Sequence, residues 1–196
     1  MSKVRGFTLI ELLIVIAVLG VLAVAVLSAI NPIEQINRSK DTGSRSDAEQ
    51  LLSAIDRYYA SKTYYPWQVD ADSDETAVNP MVEIETGTQP FGVDAEEMLT
   101  KLSVGGTSEL KASFINRIVG DRANNLWIYN HGVAGESTYV CFVPDSSAFR
   151  DEAWLRCTTG GAPAIVDFPP DACPNDATCQ TAATSETATG CYICLP

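Results

Sequence analysis

Two positions near the amino terminus carry groups that could pair with each other. Glu11 is the one charged residue in an otherwise apolar run from Phe7 to Ile30. A cut between Gly6 and Phe7 would create a new α-amino group, which is protonated at neutral pH. This amine could form a salt bridge with the Glu11 carboxylate of a neighbouring copy. Such a bridge would fix the axial step between helices that pack side by side.

The apolar run is long enough to cross a membrane. As a helix it would be roughly 36 Å long, against about 30 Å for the hydrocarbon core of a bilayer. A carboxylate inside such a helix costs on the order of 3 kcal/mol on insertion scales, so it needs a partner. No basic residue lies between positions 7 and 37. A secretory signal peptide would be cut after its apolar region, whereas Gly6 precedes this one.

The segment from Lys3 to Ile16 resembles the class III leader and N-terminal methylation motif of type IV pilins and type II secretion pseudopilins. The matching residues are Gly6, Phe7, Thr8, Leu9 and Glu11. The resemblance implies that a membrane-embedded prepilin peptidase cuts after Gly6 and N-methylates Phe7. It also implies that Glu11, the fifth residue of the mature chain, pairs with the Phe7 amine of an adjacent copy during assembly.

Gly20 and Pro32 are the candidate helix-breaking residues. Proline removes one i→i−4 hydrogen bond and clashes with the preceding turn, so we expect a kink or break near residues 28 to 32. In type IV pilins a glycine and a proline commonly break the helix here, and the segment between them is often unwound in bacterial filaments. The other interpretation is that Pro32 only marks the point where the helix leaves the membrane.

The chain after the apolar run divides by composition. The sequence predicts a leader at 1–6, a transmembrane and filament-core helix at 7–32, a polar connector at 33–45 and a globular head at 46–196. In the head, Ser46–Glu49 is typical of a capping box, and apolar residues then recur at helical spacing to near Lys62.

Shorter elements follow this amphipathic helix. One helix would present Met98, Leu99 and Leu102, and another would begin at Thr107 or Ser108. Apolar segments bounded by turn residues predict strands at 125–130, 137–143, 153–158 and 163–168. These strands would form an antiparallel meander packed on the amphipathic helix.

The predicted fold class is therefore α+β. The type IV pilin fold that the resemblance implies has a long N-terminal α-helix with a membrane-spanning half and an amphipathic half. The amphipathic half packs on a small antiparallel β-sheet, and the C-terminal region is disulfide-bonded.

Six cysteines lie in the second half of the chain: Cys141, Cys157, Cys173, Cys179, Cys191 and Cys194. The basic leader should stay in the cytoplasm under the positive-inside rule, which sends the head to an oxidising compartment. We expect a bridge between Cys141 and Cys157, in two candidate neighbouring strands, with the other four closing the tail. Six cysteines allow fifteen pairings. The alternative for the last four is a zinc site.

Charge argues against nucleic acid as a partner. The net charge is −12, and loss of Lys3 and Arg5 leaves 11 basic against 25 acidic residues, or −14. Few cations are then available to displace phosphate counterions, so nucleic-acid binding is not expected.

The sequence predicts neither a metal site nor a catalytic site. Asp70–Glu75 lacks the glycine at position six and the glutamate at position twelve of an EF-hand loop, which favours a solvated acidic loop. The single histidine, His131, adjoins a predicted turn, and no catalytic motif is present. No cofactor is predicted, and we do not expect an enzyme.

These observations predict a pilin, a structural subunit that polymerises through its N-terminal helix for surface attachment, motility or DNA uptake. The expected partners are other copies, the prepilin peptidase, the pilus assembly machinery and the inner membrane. The chain would span that membrane once with its amino terminus in the cytoplasm, and then enter an extracellular pilus. The open alternatives are a major pseudopilin of a type II secretion or competence pseudopilus, and a monomeric anchored binding module. The cysteine-rich C-terminal region favours the pilin.

Overall fold

The computed structural model describes residues 6–29, 31–73, 77–84, 95–103, 107–119, 125–133, 135–157, 167–173 and 191–196. The chain divides into two compact units, Met1–Ile36 and Asn37–Pro196. In chain order the elements are α1 (Leu9–Ala29), α2 (Pro32–Lys62), β1 (Val78–Glu83), α3 (Ala95–Leu102), α4 (Ala112–Val119), β2 (Leu126–Asn130), β3 (Thr138–Phe142), α5 (Ser147–Leu155), a 3-10 turn (Pro170–Ala172) and β4 (Ile193–Leu195).

The helix α1 exposes its apolar side chains on every side. All residues from Gly6 to Leu27 are exposed. Among the residues that the structure describes, Leu9–Leu27 is the helical segment that is long and apolar enough to cross a membrane. A helix that is apolar all round is stable only when lipid or other helices surround it.

The helix α1 ends at Ala29, and α2 begins at Pro32 after Asn31, which is not helical. Pro32 occupies the first position of α2, where its missing N–H costs no hydrogen bond. The side-chain oxygen of Asn31 accepts a hydrogen bond from the Glu34 N–H at 3.4 Å. Gly20 lies inside α1, which runs through it without interruption. Unwinding at Gly20 in a filament therefore stays a prediction.

The helix α2 is longer than the sequence predicts. It passes through the predicted connector and Gly43, so the prediction of a capped start at Ser46 is wrong. Asp41 and Asp47 on this helix are already buried against the head, at 2% and 4% exposure. These contacts extend the helix through a glycine that costs about 1 kcal/mol relative to alanine.

The four strands form one antiparallel sheet in the order β1-β2-β3-β4. The predictions of β2 and β3 are confirmed, whereas β1 and β4 were not predicted. Pro80 is compatible with β1 because this strand lies at the edge of the sheet. The α+β class with a small antiparallel sheet is confirmed, and the arrangement is consistent with the type IV pilin fold.

Two of the predicted strands need correction. The strand predicted at 153–158 is wrong, because its first three residues are the end of the helix α5. Most of the strand predicted at 163–168 lies outside the described residues, and residues 167–168 form a turn and a bend.

Two short helices lie between β1 and β2 in the chain, and salt bridges tie α4 and the residues before it to α2. The prediction of α3 is confirmed, whereas α4 begins at Ala112, later than predicted. Arg117 of α4 donates to both carboxylate oxygens of Asp47, at 2.5 and 3.1 Å. Before α4, Glu109 accepts a hydrogen bond from Arg57 at 2.5 Å.

The helix α2 packs on one face of the sheet and forms the main core with it. Alternate strand residues point to this face, as expected from the two-residue period of a strand. Fully buried residues of this core include Leu51, Ala54 and Ile55 of α2 and Leu126, Ile128, Val140 and Ile193 of the sheet. Each large aliphatic side chain buried here stabilises the fold by about 1.5 to 3 kcal/mol.

The C-terminal region covers the opposite face of the sheet with a second core. Tyr129 and Tyr139 pack there with Phe168 and Ala172. The Tyr139 hydroxyl donates a hydrogen bond to Asp167 at 2.6 Å, which holds the pKa of Asp167 below its ordinary value. All five residues of β3 are buried because both faces of the sheet are covered.

The disulfide bonds differ from the expected pairing. Cys141 of β3 is bonded to Cys194 of β4, which lies directly opposite in the antiparallel register. Cys157 is bonded to Cys173. The expected bridge from Cys141 to Cys157 was wrong because Cys157 follows the helix α5 and does not lie in a strand beside β3. The strand β4, which carries Cys194, lies beside β3 instead. Cys191 is also disulfide-bonded.

These bonds also overturn the zinc alternative. Cys173 and Cys194, two of the four thiols that it requires, are oxidised. Cys179 lies outside the described residues.

We predict that the two bridges contribute unequally to stability. Replacing Cys141 and Cys194 together by alanine should lower the free energy of unfolding by about 4 kcal/mol, because that bridge closes a 53-residue separation. The same change at Cys157 and Cys173 should cost about 3 kcal/mol, because it closes 16 residues. Urea denaturation of the purified variants measures both values, and the reverse order would contradict the loop-length argument.

A buried carboxylate joins α2 to α5. Asp41 accepts hydrogen bonds from the backbone N–H groups of Asp145 and Ser146, both at 2.8 Å, and from the Ser146 hydroxyl. Ser146 is the residue at the amino-terminal cap of α5. Asp41 therefore supplies from another element the acceptor that a helix start requires, where negative charge is favoured.

Replacing Asp41 by alanine should lower the free energy of unfolding by about 3 kcal/mol, because three donors would be buried without an acceptor. Asp41→Asn keeps one acceptor oxygen and should cost less. The adjacent Lys40→Ala is the control, since Lys40 makes only an exposed ion pair with Asp145 at 3.8 Å. A loss below about 1 kcal/mol for Asp41→Ala in urea denaturation would contradict this assignment.

Candidate processing and assembly site

The peptide bond between Gly6 and Phe7 lies just before α1 on an exposed stretch. The Phe7 side chain is 85% exposed. Apart from Gly6 and its two chain neighbours, no described atom lies within 4 Å of the position that a Cβ on Gly6 would take. In the uncut chain the Phe7 nitrogen is an amide, so a cation exists there only after cleavage. Within the described structure, nothing covers this bond against a peptidase.

Glu11 is engaged with Thr8 of its own chain. Its Oε2 atom accepts hydrogen bonds from the Thr8 backbone N–H at 2.8 Å and from the Thr8 hydroxyl at 2.7 Å. The Glu11 N–H donates in return to the Thr8 Oγ1 atom at 3.3 Å. This reciprocal pattern is a capping box, with Thr8 as the cap of α1 and Glu11 three residues later.

The hydrogen bonds of the capping box compensate the Glu11 carboxylate for part of its lost hydration in an apolar segment. Glu11 lies in the first turn of α1, where the helix dipole favours negative charge. Among the described residues, no basic side chain pairs with Glu11. The carboxylate is therefore hydrogen-bonded, and none of the described residues supplies it with a countercharge.

Sequence reasoning identified Gly6, Phe7 and Glu11 but missed the role of Thr8. The signal was present, since a threonine followed three residues later by a glutamate before an apolar run is typical of a capping box. The structure places these four residues within six positions of one another at the start of α1. Gly20 and Pro32 are not part of this group.

The other residues considered at the sequence level belong to the second unit, Asn37–Pro196. His131 pairs with Glu136 at 2.6 Å in the turn between β2 and β3. Asp70 and Asp72 are exposed, and the Asp70 carboxylate accepts the Asp72 N–H at 3.0 Å. The part of the chain that the structure describes contains no cluster of three or more His, Cys, Asp or Glu residues that could hold a metal ion.

Comparison with known proteins supports the same segment. The family model described as the prokaryotic N-terminal methylation motif matches residues 1–27. No curated protein and no solved structure matches the chain. The match covers the leader, the Gly6–Phe7 bond, Glu11 and most of α1. The chain therefore carries the N-terminal methylation motif, with the class III leader of type IV pilins and pseudopilins.

Proposed function

We propose that this chain is a pilin, the structural subunit of a type IV pilus-like filament. The observation that carries the proposal is α1, most of which lies within the methylation motif and which has one acidic residue in its first turn. A helix exposed and apolar on every side needs an apolar environment. Lipid supplies this environment before assembly, and the α1 helices of other copies supply it in a filament.

Processing and orientation follow from the leader. Lys3 and Arg5 hold the amino terminus in the cytoplasm under the positive-inside rule. The prepilin peptidase cuts the exposed Gly6–Phe7 bond and methylates the new amine. The head of the protein then lies on the outer side of the inner membrane, where the disulfide bonds form.

Assembly uses the charge that the cut creates. The Phe7 amine of one copy pairs with Glu11 of the next, and the carboxylate exchanges its bonds to Thr8 for a cation. In a filament core of low dielectric constant this attraction is stronger than in water. A Glu11 carboxylate without the amine would be a buried, unpaired charge, which is strongly unfavourable. The pairing therefore favours the one axial position at which both charges meet.

The pseudopilin alternative shares the processing and assembly steps. The disulfide-bonded cysteines of the C-terminal region support a pilin, because pseudopilins usually lack a cysteine-bridged C-terminal region. Electron microscopy separates the two functions. A pilin forms long filaments on the cell surface at native expression, whereas a pseudopilin does not.

Replacing Gly6 by valine should block processing, because the residue before the scissile bond must enter the peptidase site. The uncut chain would have no α-amine at Phe7 and should form no filaments. Intact-protein mass spectrometry measures retention of the six leader residues and loss of the methyl group. Wild-type mass in this variant would contradict the assigned cleavage site.

Replacing Glu11 by alanine should leave membrane insertion and cleavage intact but prevent filament extension. Insertion should even become easier by on the order of 3 kcal/mol, because a carboxylate leaves the apolar segment. The control is Glu49→Ala, which removes an exposed carboxylate from α2. Filament length is measured by electron microscopy, and filaments of normal length in the Glu11 variant would refute the pairing.

A further inference from the structure

A cleft of about 280 Å³ lies between the carboxyl end of α2 and the turn that joins β2 to β3. Tyr59, Tyr64 and Tyr65 form one side, and Asn130 and Gly132 contribute to the other. Pockets for drug-sized ligands start at about 300 Å³, so this cleft suits a ligand of one ring.

Two tyrosines of the cleft, Tyr59 and Tyr65, belong to a stack of three rings with Trp67. Tyr65 lies parallel to Trp67, with ring centres 4.5 Å apart, and on Tyr59 at the same distance. Both faces of Tyr65 are thus covered, and Trp67 is fully buried. The stack ends at Tyr59, which is 45% exposed. The Tyr59 ring is held in place by packing on Tyr65 and remains partly exposed, so it is preorganised to contact a ligand.

The polar groups of the cleft are neutral and fixed in place. The Gln68 side chain accepts the Tyr65 N–H at 2.7 Å and donates to the Ser73 carbonyl at 2.8 Å. The Asn130 amide donates to Thr138 at 2.7 Å and accepts the Gly132 N–H at 2.8 Å.

The described lining contains no Asp, Glu, Lys or Arg, in a chain of which 19% of the residues are charged. Asp70 and Asp72, which precede the lining residue Ser73 in the chain, are exposed and lie outside this lining. The described lining therefore offers no countercharge to an ionic ligand.

We propose that this cleft binds the pyranose ring of a neutral saccharide. The negative face of an aromatic ring attracts polarised C–H groups, which a pyranose presents on one face. Its hydroxyl groups both donate and accept hydrogen bonds, as the amides and hydroxyls of the lining do. The site lies within residues 37–196 and does not depend on polymerisation.

The test uses the full chain in lauryldimethylamine oxide, because glucoside and maltoside detergents contain pyranose rings. The probes are the methyl glycosides of glucose, galactose and mannose, followed by saturation-transfer NMR and calorimetry. At least one should bind with a Kd on the order of 1 mM, as expected for so few atoms. Tyr59→Ala should weaken this binding about tenfold, whereas Tyr59→Phe keeps the ring and should lose roughly threefold at most.

The control is Leu155→Ala, which removes an exposed apolar side chain at the end of α5 and should leave binding unchanged. Circular dichroism checks that each variant is folded. Three results would overturn the proposal: no binding of any of the glycosides at 50-fold the expected Kd, roughly 50 mM, equal binding by Tyr59→Ala, or tighter binding of methyl glucuronide than of methyl glucoside. Binding of p-cresol without any glycoside would assign the cleft to an aromatic side chain of a protein partner instead.

Discussion

The proposed assembly depends on one carboxylate in an apolar helix. Glu11 is the only charged residue of α1, and Thr8 satisfies its hydrogen bonds without neutralising it. Hydrogen bonds to a neutral partner compensate part of the desolvation of a carboxylate, but a countercharge is needed for the rest. Under the proposed function that countercharge is the amine formed by cleavage at Phe7. Processing and assembly would then be coupled by electrostatics, since an uncut chain has no Phe7 α-amine to pair with Glu11 of its neighbour.

In the head, both faces of the small sheet are covered and kept from water. One face is covered by α2, and its core is built from aliphatic side chains. The other face is covered by the segment around Phe168 and Ala172, which is too short to form an independent core. Disulfide bonds hold this cover in place by limiting the unfolded chain. The edge strand β4 has three residues and is attached to β3 through Cys141 and Cys194.

Polar contacts between elements extend α2 beyond the range that its apolar pattern predicts. Asp41 caps the start of α5, and Asp47 binds Arg117 of α4 with two hydrogen bonds. Both residues lie on the same helix as the apolar stripe that packs on the sheet. The helix α2 therefore positions the sheet, α4 and α5. Near its carboxyl end, the same helix also carries Tyr59, which ends the stacked rings at the proposed saccharide cleft.

The sequence by itself determined the membrane-spanning length of α1, the Gly6–Phe7 and Glu11 motif, the α+β class and the strands β2 and β3. These features depend on local composition and spacing, which can be recognised in the sequence without knowledge of the tertiary contacts. Only the tertiary structure decided that α2 continues through residues 33–45, that residues 147–155 are helical, and that Cys141 pairs with Cys194. Each of these depends on partners far away in the chain, such as Asp145 and Ser146 for Asp41. A three-residue strand such as β4 has too few positions to show a period, so its neighbour β3 and a disulfide define it.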